Sequence, residues 1–146
     1  MQDISGFGAS VSLRASFTFP SGLDLTQFAD DADPFDIPSQ QIADKAMGLN
    51  GHLVSWSKAN PVTVTLNIIP DSDDDRNLAV LADANRVRKG KNAVGDIITL
   101  TAVYPDGKTK TFAQGKLTDA APSTGVSSAG RRKSKAYTFA FESVEG

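Results

Sequence analysis

The chain contains no cysteine, one histidine and one tryptophan. Without cysteine it can have neither a disulfide framework nor a thiolate metal site. His52, the lone histidine, sits beside a glycine turn with no Gly-x-Ser-x-Gly elbow, so nothing in the sequence assembles a hydrolase triad around it. A histidine-based metal site would have to draw its other ligands from carboxylates, and no spacing provides them. No apolar run is long enough to cross a bilayer. Met1-Gln2-Asp3 leads straight into glycine and serine rather than into a basic-then-apolar leader. The usual nucleotide loops are missing too: Gly6-Phe7-Gly8 precedes a strand, not a helix. Asp71-Ser72-Asp73-Asp74-Asp75 has the look of a calcium loop. The EF-hand pattern needs Gly at position six and Glu at position twelve, where this chain has Arg76 and Ala82. A triad elbow, a metal or cofactor site and a membrane span are therefore not expected, and neither is enzymatic activity.

Positive charge is missing from one stretch. Between Ala15 and Asp44 there is no Lys or Arg, while Asp24, Asp30, Asp31, Asp33, Asp36 and Asp44 all occur. After Tyr104 the balance reverses, with Lys108, Lys110, Lys116, Arg131, Arg132, Lys133 and Lys135 against four acidic groups. Two solvated loops would explain this. So would two complementary surfaces on one subunit, suited to head-to-tail stacking.

The organising stretch runs from Val62 to Gly90. Val62, Val64, Leu66 and Ile68 alternate with Thr63, Thr65 and Asn67, the period of a half-buried strand. Pro70 ends it. Ser72 is placed to cap a helix, with Asp75 three residues on and Asp73–Asp75 at the positive end of the dipole. The helix is expected over about Asp73–Lys89, with Gly90 as its left-handed terminator. Leu78, Val80, Leu81, Ala84 and Val87 form its apolar stripe, and Asp75, Arg76, Asp83 and Arg86 lie opposite.

Strands surround this unit. Phe7–Phe19 reads as one long strand, roughly 40 Å if straight, so a bend or a change of partner is expected. Residues 20–40 form a long connection that carries Leu23, Leu25, Phe28, Phe35 and Ile37, apolar groups that must pack on something. Gln41–Met47 reads as a strand or one helical turn, the strand being favoured, and after the glycine turn His52–Ser57 reads as a strand. Asp96–Tyr104 and Thr109–Leu117 flank Tyr104-Pro105-Asp106-Gly107-Lys108, a strong hairpin signal. A polar loop over 118–135 leads to Ala136–Ser143, with Tyr137, Phe139 and Phe141 on one face. The expected fold is mainly β: one domain over 1–146, an antiparallel sandwich or barrel with one flanking helix.

With catalytic groups missing, the informative features are sheet edges, long loops and charge asymmetry. Open edges are normally blunted or covered. A ring of subunits whose inner sheets join into one large barrel would remove them.

The order of segments carries a resemblance. A Ser/Thr-alternating first strand and a long Asp- and Pro-containing loop are followed by HLVSWSKANPVTVTLNIIP, SDDDRNLAVLADANRVRKG, DIITLTAVYPDGKTKTF and KAYTFAFESV. Over nearly its whole length the chain resembles the tail tube proteins of contractile-tailed bacteriophages. The resemblance implies a virion protein, assembled in the host bacterial cytoplasm, whose hexameric rings stack into a hollow tube. Sheath would lie outside, the tape-measure protein and then DNA inside, and baseplate and terminator proteins at the ends, with no cofactor. Tubes of phage-like bacteriocins and type VI secretion share the fold and stay open as alternatives. The competing class is a monomeric sandwich that binds, for example, carbohydrate, with Trp56 as its one platform. An enzyme built on a carboxylate pair is the third. On the assembly reading, the inter-ring and inter-subunit contacts are Leu23, Asp24, Leu25, Phe28, Asp30, Asp31, Asp33, Phe35 and Ile37, facing Lys108, Lys110, Arg131, Arg132 and Lys133.

Overall fold

The computed structural model describes residues 10–26, 28, 35–87, 89–121, 130 and 132–145. Its strands are β1 (Ser10–Ala15), β2 (Phe19–Leu25), β3 (Phe35–Asp36), β4 (Ala43–Met47), β5 (Leu53–Ser57), β6 (Val62–Ile68), β7 (Ile98–Val103), β8 (Thr109–Ala120) and β9 (Lys135–Glu145). The one helix, α1, spans Asp73–Ala84 between β6 and β7. Seven strands form one antiparallel sheet in the order β2-β1-β7-β8-β9-β6-β3, curled into a half-barrel. β4 and β5 pair only with each other. The expected mainly β architecture with a single helix is what is found.

Alternation decides which face is inside. Val11, Leu13 and Ala15 of β1, Ile98, Leu100 and Ala102 of β7, Val64, Leu66 and Ile68 of β6, and Tyr137, Phe139 and Phe141 of β9 are all buried. Leu78, Leu81 and Ala82 of α1 join the same core. The opposite face carries Ser10, Ser12 and Arg14 of β1, Thr99 and Thr101 of β7, Thr138 and Ala140 of β9, and Thr63, Thr65 and Asn67 of β6. None of these ten is fully buried. At roughly 25 cal/mol per Å² of apolar area, a face of Ser, Thr and Ala gains little from burial, whereas the Val/Leu/Phe face gains most of the folding energy.

The predicted hairpin forms. Tyr104 N–H donates to the Lys108 carbonyl at 2.9 Å, and Gly107 takes the left-handed conformation at φ 88°. Along β8 the ladder slips: Leu100 faces Phe112, but Ile98 faces Gly115. The extra residue is a bulge, with Gln114 at φ 55°. Bulges increase local twist, which suits a sheet that curls.

Three expectations change. The long first strand is two: β1 ends at Ala15, the chain turns over 16–18, and β2 returns antiparallel, pairing Val11 with Leu25. Unbroken alternation cannot reveal a reversal that keeps the same parity. The connection over 20–40 therefore begins as strand, with β3 near its end. The helix stops at Ala84, short of Lys89, because Asn85 caps it: its backbone N–H and its side-chain Nδ2 both bond the Leu81 carbonyl. Gly90 is left-handed (φ 78°) but lies beyond the helix. The face is also rotated. Asp75, expected outside, is buried, while Val80 and Val87 are exposed.

Candidate assembly surfaces

Two buried aspartates lock the frame. Ser72 caps α1 as the sequence predicts, accepting from the Asp75 N–H at 3.2 Å. The Asp75 side chain turns inward. It accepts from the Tyr137 phenol at 2.7 Å and from the Asp71 N–H at 2.9 Å, and Lys135 Nζ lies 3.2 Å away. Burial pushes the Asp75 carboxyl up, but the hydrogen bonds and the Lys135 charge outweigh it and hold the group below its ordinary value. The same burial, with Asp75 beside it, pushes the Tyr137 phenol well above its ordinary value. Neighbouring Asp74 accepts from the Thr26 N–H at 2.7 Å, which ties the segment after β2 to the helix.

Asp96 does the same at the other end of α1. Its carboxylate accepts from the backbone N–H groups of Phe17 (2.7 Å) and Thr18 (2.9 Å), from the Thr18 hydroxyl and from Asn85 Nδ2 (2.8 Å). Burial raises its pKa, and the four donors more than reverse that. The β1–β2 turn, the helix cap and the start of β7 are thus held by one side chain. Among the described residues no buried side-chain nitrogen or oxygen, in these knots or elsewhere, lacks a hydrogen-bond partner.

The predicted contact residues separate into groups. Leu25 is buried in the core, and Leu23, Phe28 and Phe35 are half-buried against it. Phe28 bridges Ile68, and the Phe35 ring meets Phe112 edge-on at 6.2 Å. The apolar side chains of the acidic stretch are thus spent largely on this subunit's own core, and Ile37 alone of the five is exposed. Asp24 is exposed and accepts from the Ser12 hydroxyl at 2.9 Å. Lys108 lies 3.8 Å from Asp106, and Arg132 makes a 2.6 Å ion pair with Asp71. Lys110 and Lys133 are exposed. Asp30, Asp31, Asp33 and Arg131 lie outside the described residues.

A further exposed feature is the β4–β5 pair. β4 and β5 form a projecting arm in which only Asp44 is even half-buried. Its base is latched: Gln40 Nε2 donates to the Asn60 carbonyl, Asn60 Nδ2 to the Gln41 carbonyl, and Lys58 N–H to the Ile42 carbonyl. Its tip closes through Gly48 N–H to His52 O at 2.8 Å. Met47 faces Leu53, Ala46 faces Val54, and Asp44 faces Trp56, so both faces carry apolar groups. Strand alternation was legible here. What it could not show is that no layer of the described residues lies above or below.

Among the described residues no three His, Asp or Glu side chains gather as a metal site, and no helix is long and apolar enough to cross a membrane. The surface that remains is a half-barrel with a polar face, free edges and an apolar arm. The family described as tail fiber protein gp32 matches residues 2–145. The chain belongs to that family. It is a phage-like tail protein. Among solved structures it is similar to a sheath/tube terminator of an extracellular contractile injection system, PVC, solved by cryo-electron microscopy in the extended state. The superposition covers 99% of this chain and 96% of that one, with a TM-score of 0.51 and 13% sequence identity. At that identity the likeness speaks for the fold. No curated protein matches the chain.

Proposed function

We propose that this tail protein is a ring-forming subunit on the tail axis, whose copies, six to a ring, stack into the inner tube through which DNA leaves. One observation carries the reading. The seven-stranded sheet is curled but unclosed, with β2 at one edge and β3, only two residues long, at the other. β3 covers β6 only at Leu66 and Thr65, so the β6 edge over Val62–Val64 has no strand beside it among the described residues. Open edges invite pairing with another chain, and copies of the same half-barrel close them in a rotationally symmetric, heterologous ring. β2 carries Pro20 and Gly22, which suit an edge strand and discourage unlimited pairing.

On this reading the Ser/Thr/Ala face lines the lumen. Its cations include Arg14 and the exposed Lys116 of β8, which pairs with Ala140. A wall with few cations lets DNA slide, because contacts from Lys and Arg to phosphate dominate nonspecific binding. The tape-measure protein occupies the same channel before DNA does, and sheath subunits surround the outside. The role is mechanical and needs no catalytic group or cofactor. The acidic stretch retains a part through Asp24 and Ile37, meeting Lys108, Lys110 and Lys133 of a neighbour.

The terminator fold favours a second reading, a single ring that closes the end of the tube and touches both tube and sheath. Negative-stain electron microscopy of the purified chain across concentration, with light scattering for mass, separates the readings. Stacked hollow rings are expected. Single rings that never stack select the terminator, and solid rods would place the chain in a fibre. A chain that stays monomeric at high concentration, even with a baseplate initiator present, overturns ring formation.

A further inference from the structure

The curled sheet is drawn together at one end and not at the other. β2 is first in the strand order and β6 sixth, yet just past the end of β2 the backbone at Phe28 bridges Ile68, the last residue of β6. At the opposite end Phe19 of β2 pairs with Ala15 and Val62 of β6 with Phe141, and among the described residues nothing pairs β2 to β6 there. The two edges that the ring reading leaves for neighbours are thus joined near Leu25 and Ile68 and open at Phe19 and Val62.

The helix ties both edges together on the core side. α1 follows β6 directly, with the Ser72 hydroxyl donating to the Ile69 carbonyl at 2.7 Å. Leu78 and Leu81 share one core with Leu25 of β2 and Ile68 of β6. The first helical turn then reaches β2. The Asp74 carboxylate, on a residue only 5% exposed, accepts from the Thr26 N–H at 2.7 Å, one residue past the strand. At the far end of α1, Asn85 Nδ2 holds Asp96, which in turn holds the Phe17 and Thr18 N–H groups just ahead of β2. β2 has little hold of its own. Only Leu25 among its residues is buried, and between Leu13 and Ala15 of β1 its register jumps from Leu23 to Phe19. Its position is set chiefly from its two ends.

We infer that the Asp74–Thr26 bond, beside the Phe28–Ile68 bridge, sets the angle between the two edges and with it the number of copies that close a ring. In a rotationally symmetric ring each copy turns the seam through one fixed angle, about 60° for six copies. In a joined barrel the diameter follows the number of strands. A subunit whose β2 swings on the β1 ladder offers a range of angles, and closure loses its fixed number. Asp74 is a positioning residue here: it is buried within the subunit and acts through β2. The inference rests on the ring reading proposed above.

Two variants of the full chain test it. Asp74→Ala combined with Thr26→Pro removes acceptor and donor together, so the bond is lost without leaving either partner buried and unsatisfied. Proline suits position 26 because Leu25 before it is already extended, and Asp96 still holds the start of β2. The far-ultraviolet circular dichroism of the double variant should match the parent. Electron microscopy and native mass spectrometry should show rings of mixed copy number and open arcs in place of one species. Asp74→Asn keeps an acceptor for the Thr26 N–H and should close rings as the parent does. Double-variant rings with the parent's single copy number overturn the inference and leave the ring reading standing. Mixed closure by Asp74→Asn does the same, because it traces the effect to the charge and not to the bond. A double variant that unfolds also overturns it, since the bond would then hold the fold and not the angle. A parent that forms no ring at high concentration, even with a baseplate initiator present, overturns both.

Discussion

The Tyr137 phenol donates a 2.7 Å hydrogen bond to Asp75 Oδ1 within the core, across 62 residues of sequence. It joins the first turn of α1 to the start of β9, and Lys135 closes the group at 3.2 Å. Tyr137→Phe keeps the ring and removes the bond. Asp75 retains Lys135 and the Asp71 N–H, so the expected loss is about 1–2 kcal/mol. Asp75→Ala leaves Lys135 buried without its partner, and about 3–5 kcal/mol is expected. Urea denaturation of both variants checks the order, and equal losses would refute the account.

The same carboxylate, with Asp96, sets an acid limit. Both have folded-state pKa values below the ordinary carboxylate value. A depressed pKa contributes stability that is fully present above the unfolded value, about 3.9, and is lost as pH falls through the folded one. The urea midpoint should therefore stay flat, as far as these two groups are concerned, from pH 7 to about 5 and drop below about pH 4. Asp96→Asn removes one contributor, so its midpoint starts lower and falls less steeply. A parent midpoint unchanged between pH 5 and pH 3 would rule the mechanism out.

Gly115 makes a prediction of a different kind. It faces Phe141 across the β8–β9 ladder, and a Cβ there would lie 2.2 Å from Phe141 Cδ1. The ring occupies the space a side chain would need, and it also meets Phe112 at 5.5 Å and Phe139 at 6.2 Å. Gly115→Ala must displace this stack, at an expected cost of about 1–3 kcal/mol. Phe141→Leu should relieve part of that cost. A double-mutant cycle with no coupling between the two positions would show that the clash is absorbed elsewhere.

Local chemistry made the capped start of α1, the Pro-Asp-Gly hairpin and the Tyr137/Phe139/Phe141 stripe legible, because each is fixed by neighbours within a few residues. The β1–β2 reversal was not. Leu13, Ala15, Phe17 and Phe19 keep one alternation, and the turn depends on Asp96, roughly eighty residues away, catching the N–H groups of Phe17 and Thr18. The end of α1 escaped for the same reason, since Asn85 acts as a cap partly through Asp96. Within the proposed contact set, sequence identified Leu25 and Phe35 as groups that must be buried but could not say by whom. Their own core is enough. The arm shows the converse. Val54 and Trp56 look like any strand's inner face, and only the missing layer marks them as surface.

That division within 23–37 yields the sharpest test of the acidic stretch. Leu25 is fully buried opposite Val11. Leu25→Ala should therefore cost about 2–5 kcal/mol of subunit stability, the range for truncating a core leucine. Removing Asp24 to Asp36 outright would take Leu25, Phe28 and Phe35 from the core and should unfold the chain rather than merely stop it stacking. Asp24→Ala and Ile37→Ala touch exposed groups and should leave stability within about 0.5 kcal/mol. If the stretch meets a neighbouring copy, only these last two substitutions weaken assembly without weakening the fold. Chemical denaturation and light scattering on the same three single substitutions give both readings. Should Asp24→Ala and Ile37→Ala leave assembly untouched, the stretch serves its own subunit alone.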